Sequence, residues 1–210
     1  MSHVYVVALT SRHCPPFSVD ERRIEFINVH GVFAAVERRF DAPSASEAEL
    51  RSQHDLVMAI FNQAEDLLPV RFGAWIDRQE LAAVVLRQRS AIVDALQLVR
   101  GRVQMTIRFL APRQEPPPPQ PSSDRPGRGT AYLQSRRNAE QWLPSEGAAL
   151  RSAVRDLVVA ERVSPGSALY HLISRDAVTT YTALTQPFES ATVVVSGPWP
   201  PFAFAPEPWL

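Results

Sequence analysis

Apolar residues recur along the chain with two periods, and the switching between them lays out an order of elements. Residues 4–9, Val4-Tyr5-Val6-Val7-Ala8-Leu9, are continuously apolar, the pattern of a strand covered on both faces. Ser11–Asp20, with Pro15 and Pro16, reads as a loop. Ile24–Val29 and Val32–Val36 read as two strands of a hairpin that turns at His30-Gly31. Charged residues (Glu37, Arg38, Arg39, Asp41) and Pro43 then lead the chain off the sheet. A helical period runs from Ser46 to Asp66, with Leu50, Val57, Phe61 and Ala64 on one stripe and Ser46 and Glu49 at capping-box spacing. Leu67–Gly73 is a short extended piece. A second helix starts at Asp77, has Glu80 three residues on, and buries Leu81, Val85, Ile92, Leu96 and Val99. Gly101 is placed to cap its C-terminus. In the strand Arg102–Leu110, Val103, Met105, Ile107 and Phe109 alternate with Arg102, Gln104, Thr106 and Arg108, which predicts one face on a core and one on water or a polar partner. The order β-ββ-α-β-α-β predicts an α+β sandwich, loosely ferredoxin-like, with one sheet and two helices on one face.

That unit is expected to span 1–111. Residues 112–128, with the run Pro116–Pro119 and little apolar material, cannot build a core and read as a proline-rich linker. A smaller, helix-rich α+β unit is expected over 129–210. It has helices at Thr130–Trp142 and Glu146–Val159, the latter turning Leu150, Val154, Leu157 and Val158 inward. A strand at Ala168–Ile173, a short helix at Asp176–Thr185 and a strand at Ala191–Val195 follow. The chain then meets Gly197-Pro198-Trp199-Pro200-Pro201-Phe202, where prolines stop any helix or sheet interior. The aromatics of this tail sit on a stiff, polyproline-like segment that loses little entropy on docking. Either the tail is stapled to its own domain, or it offers Trp199, Phe202, Phe204 and Trp209 to a partner.

Composition narrows the function classes. The 210 residues carry 22 basic and 22 acidic side chains, and every basic one is arginine. Zero net charge argues against nucleic-acid binding, and the absence of lysine removes Schiff-base chemistry. One cysteine, Cys14, excludes an internal disulfide and a multi-cysteine metal site. With no basic leader and no long apolar run, a soluble, cytoplasmic protein is expected.

Candidate chemistry is sparse. No phosphate-cradling glycine motif, zinc-ligand spacing or nucleophile elbow is present. His3, His13, His30, His54 and His171 are scattered, and His54 and His171 read as satisfied core or boundary residues. Neighbouring His13 and Cys14 lack a third orienting group. Arg71 reads as a structural arginine tying its loop to the sheet, with Phe72 in the core, or else as a partner contact. Arg22-Arg23, Arg38-Arg39 and Arg136-Arg137 read as solvated faces.

Four strings together resemble one known family. Gly197-Pro198-Trp199-Pro200-Pro201-Phe202-Ala203-Phe204 resembles the G-P-W-P-P-Y-S-F signature of the gas vesicle GvpL/GvpF family, with Phe202 and Ala203 replacing Tyr and Ser. Leu68-Pro69-Val70-Arg71-Phe72-Gly73 resembles its L-P-V-R-F-G string. Val4-Tyr5-Val6-Val7 resembles its first strand, without the usual glycine, and Gly129-Thr130-Ala131-Tyr132-Leu133 with Arg136-Arg137 resembles its G-x-x-Y-L-x-x-R element. The resemblance implies a non-enzymatic gas vesicle accessory or minor structural protein, with no cofactor, in the cytoplasm or on the gas vesicle. It implies binding to the small apolar shell protein of the GvpA type and to other accessory proteins. The residues expected to make the contact are Trp199, Phe202, Phe204, Trp209 and Arg71, with the strand face of Arg102 and Arg108. An enzyme with a dispersed interdomain site is the alternative, though no motif speaks for it.

Overall fold

The computed structural model describes residues 3–110, 145–164 and 168–206. The expected linker at 112–128, the helix at Thr130–Trp142 and Trp209 lie outside them. The chain is a mixed α/β protein built on antiparallel strand pairs. Its internal contacts divide it into two compact units, 1–103 with 199–210, and 104–198. Sequence order attaches the tail to the C-terminal half, whereas its contacts belong to the first unit.

In the first unit, β1 (His3–Thr10) is the central strand. Every residue of it after His3 is buried, as its unbroken apolar run demands. It pairs on one side with β4 (Val32–Glu37). On the other it meets two short strands, β5 (Leu68–Pro69) and β6 (Trp75–Asp77). The sheet continues outward through β3 (Arg22–Val29) to β2 (Phe17–Val19). Both tight turns use left-handed backbone at two successive residues, His30-Gly31 and Asp20-Glu21, the requirement of a two-residue hairpin loop whose twist matches its strands. The second turn and β2 fall in the stretch expected to be loop, because neither Asp20 nor Glu21 is a glycine or asparagine.

Helix α1 (Glu47–Gln63) starts where Ser46 Oγ accepts from the Glu49 backbone N–H at 3.3 Å and buries Leu56, Val57, Ile60 and Phe61. Each such side chain contributes about 1.5–3 kcal/mol of apolar burial. Leu50, expected inward, is 49% exposed. The expected second helix is two, α2 (Arg78–Arg87), capped by Asp77, and α3 (Arg89–Val99), which break at Gln88 without a proline or glycine to announce it.

In the second unit, β7 (Arg102–Phe109), β8 (Val158–Ser164), β9 (Ala168–Ser174) and β10 (Val193–Trp199) form a four-stranded sheet in the order β10-β7-β9-β8. The expected single sheet is corrected here. β7 hydrogen-bonds in this second sheet rather than beside β1, whose remaining edge β5 and β6 already occupy. The helix expected over Glu146–Val159 is α4 (Ser145–Val154), and the chain then turns into β8. The apolar run at Leu157-Val158-Val159 suits a strand as well as a helix. Helix α5 (Val178–Thr185) lies between β9 and β10. The polar face expected on β7 is also corrected: Gln104 and Thr106 are buried, 3.2 Å apart in a hydrogen bond between their side chains.

β10 runs through Gly197-Pro198 as an edge strand, the position where a proline's missing donor is tolerated. Gly197 has φ +133°, and a Cβ there would sit 2.8 Å from Met105 Sδ and 2.9 Å from the Gln104 carbonyl oxygen. Gly197→Ala is therefore expected to lower stability by roughly 1–3 kcal/mol from backbone strain, with the steric contact adding to it. Equilibrium urea unfolding checks this, and an unchanged midpoint would refute it.

Candidate functional site

A groove of about 670 Å³ lies within the first unit. Three elements distant in sequence frame it. About two turns of α1 supply Leu50, Gln53, His54 and Val57; β5 and the loop leaving it supply Pro69, Val70, Arg71 and Phe72; the tail supplies Phe202, Ala203, Ala205 and Pro206.

A buried amide holds two of these walls in register. Gln53 Nε2 donates to the Val70 carbonyl at 3.0 Å, and Gln53 Oε1 accepts from the Tyr5 hydroxyl on β1. Tyr5 is fully buried, and burial pushes its phenol pKa up, so it stays a donor. The loop is tied to β1 at both ends: Val70 N donates to Val7 O at 3.0 Å, and Val6 N to Ala74 O at 2.9 Å. In the tail, Pro200, Pro201 and Phe204 are buried, and a short 3-10 turn over Phe202–Phe204 leaves Phe202 44% exposed. The described part of the tail is thus stapled down, but onto the first unit rather than onto the C-terminal domain it was expected to join, and Phe202 is its exposed aromatic among the described residues.

Of the expected contact residues, Arg108 belongs to the second unit and Trp209 lies outside the described residues. Phe202 and Arg71 line the groove. Trp199 is half-buried and meets the His54 ring edge-on at 6.0 Å, so His54 is a groove residue rather than a core one. Phe204 is core. Arg108 is exposed, and Arg102 is half-buried with its guanidinium on the Leu98 carbonyl; neither is a lining residue of the groove. Arg71 is exposed and makes no hydrogen bond to the sheet among the described residues, which removes the structural-tie reading; Phe72 is half-buried at the groove. Sequence reasoning missed Leu50 and Gln53. Leu50 sits on the α1 stripe, where nothing marks it as a wall rather than core. Gln53 is a polar residue three positions after it, on the same helical face, and that placement was the available signal.

Elsewhere in the unit, charges satisfy one another. Arg22 and Arg39 are not solvated faces: Arg22 pairs with Glu37, and Arg39 grips Glu49 through both nitrogens at 2.9 and 2.5 Å while lying 5.5 Å over the Tyr5 ring. The Arg39 guanidinium holds the Glu49 carboxyl below its ordinary value. Arg23 and Arg38 are exposed and reach Glu25. Burial pushes the Cys14 thiol up, with Asp66 adding to it, so it is not poised as a thiolate. His13 packs edge-on to Phe33 at 5.6 Å. In the second unit His171 is buried between Tyr181 Oη at 2.7 Å and Glu161 Oε2 at 2.9 Å, and Arg151 in turn binds Glu161. A carboxylate only accepts, so Nε2 carries the proton and Nδ1 accepts from Tyr181. Among the described residues no three His, Cys, Asp or Glu side chains form a metal-binding group. No described helix is long and apolar enough to cross a membrane.

The family model described as gas vesicle synthesis protein GvpL/GvpF matches residues 3–206. The chain belongs to that family of gas vesicle synthesis proteins. Two solved structures share its fold. The crystal structure of gas vesicle protein GvpF from Microcystis aeruginosa is 12% identical, with a TM-score of 0.70 over 98% of this chain and 100% of that one. That of GvpF from Anabaena sp. PCC7120 is 13% identical, with a TM-score of 0.67 over 98% and 99%. No curated protein matches the sequence.

Two outcomes test this description. Gln53→Leu leaves the Val70 carbonyl and the Tyr5 hydroxyl without their amide partner and should cost about 1–3 kcal/mol; a denaturation midpoint equal to that of the wild type would refute it. Burial holds His171 below its ordinary value of 6.5, with Glu161 opposing that shift. The unfolded chain therefore takes up this proton first, and the stability that neutral His171 provides is full above its unfolded value and falls as pH drops below it. Thermal unfolding between about pH 7 and 5 should show a shallower loss for His171→Gln than for the wild type. Parallel slopes would contradict this.

Proposed function

We propose that the protein binds the small apolar shell subunit of the gas vesicle, of the GvpA type, and assists nucleation and assembly of the shell together with other accessory proteins. The observation that supports this is the convergence of two family strings on one groove. Pro69–Phe72 and Phe202–Pro206, more than a hundred residues apart, line it together with α1. A subunit that polymerises into a gas-facing wall exposes apolar surface while it is free, and shielding that surface needs an apolar counterpart. Leu50 and Phe202, large side chains left about half exposed beside Phe72 and Val57, supply one. Trp199 and Phe204 serve the same surface by anchoring the tail, and Arg71 stands at its polar side; Trp209, outside the described residues, is a further proposed contact. Arg102 and Arg108 on β7 are further proposed contacts.

Co-expression with the shell subunit, followed by pull-down and size exclusion, is the test. The shell subunit should remain soluble and co-elute. Phe202→Ala should keep stability within about 0.5 kcal/mol, as an exposed position does, and reduce retention of the subunit. Phe204→Ala should instead lower stability by about 3–5 kcal/mol. Full retention by a folded Phe202→Ala variant would remove the tail from the contact.

A further inference from the structure

Among the described residues lining the groove, Arg71 has no partner, and its chemistry specifies the occupant further. None of the described residues lining it is acidic. The Gln53 amide is committed to Val70 and Tyr5, and the His54 ring faces Trp199. Arg71 is exposed at the groove and has no hydrogen bond or ion pair among the described residues. The contrast with Arg22 and Arg39 is direct, since each of those holds a glutamate. A guanidinium matches a carboxylate through two parallel hydrogen bonds. Beside it, Leu50, Val57, Phe72 and Phe202 offer apolar surface. The volume of about 670 Å³ admits several side chains, far more than a single ion needs.

We propose that this groove takes an apolar peptide segment carrying one carboxylate, which pairs with Arg71 while its apolar side chains settle against Leu50, Phe72 and Phe202. The proposal rests on reading the protein as one that binds the shell subunit, and it states what the bound segment must present.

The test uses the full chain and a fluorescein-labelled amphipathic leucine/alanine peptide with a single glutamate, against its twin with glutamine, read by fluorescence polarisation. The glutamate peptide should bind about tenfold tighter, the ratio that one charge-assisted contact gives. Arg71→Gln, at an exposed position, should bring the two peptides to parity. Phe202→Ser should weaken both alike. Equal binding of the two peptides by the wild type, no binding of either, or a preference that survives Arg71→Gln would overturn the proposal. If the shell subunit co-elutes while the peptides bind equally, the carboxylate inference falls and the assembly reading stands. If the peptides are discriminated but no shell subunit is retained, the assembly reading falls and the groove inference stands.

Discussion

A single buried amide sets the geometry on which the groove depends. Gln53 stands on the face of α1 that meets the sheet, and its two ends are spent on the Tyr5 hydroxyl and the Val70 carbonyl. A buried amide must find partners or cost several kcal/mol. α1 can therefore settle only where both are in reach. That fixes its roll relative to β1, and with it the outward angle of Leu50 and His54 one turn and one residue away. The same bond holds the loop of Pro69–Phe72 against the helix. Since that loop lies between β5 and β6, both paired to β1, the whole wall hangs from the central strand.

Charge follows a different logic in different parts of the first unit. Arg22, Glu37, Arg39 and Glu49 are partly buried and mutually paired, as groups removed from water must be. Their work is internal, joining β3, β4 and α1. Arg71 pays no such penalty, being exposed, and nothing within the described residues neutralises it. The tail contributes by being mostly buried: Pro200, Pro201 and Phe204 fix the backbone, so Phe202 is presented on a short, rigid turn. Little ordering entropy is then lost when something docks on it.

Much of the first unit was legible in the sequence. Residues 4–9 read as a strand buried on both faces because every position is apolar, and the His30-Gly31 hairpin and the Ser46 cap followed from local turn and capping chemistry. What was hidden was tertiary. Leu50 has the spacing of a core residue, and only the position of the tail shows that it borders a groove. Gln104 and Thr106 alternate as solvent-facing residues would, yet both are buried, and the Gln104 amide donates to the Thr106 hydroxyl. No rule of local pattern places β7 in a second sheet, because strand partners are chosen by which edges remain open. The two strings were legible as family marks, and Phe202 and Arg71 as candidates. That they line one groove, while Arg102 and Arg108 do not, required three-dimensional contacts across more than a hundred residues.

The account's central claim is that the shell subunit meets this groove. Amide hydrogen exchange of the full chain, with and without the co-expressed shell subunit, tests it most directly. The account predicts protection on binding concentrated at residues 50–57, 69–72 and 202–206. Protection confined to the four-stranded sheet of the second unit, with these three segments unchanged, would contradict it.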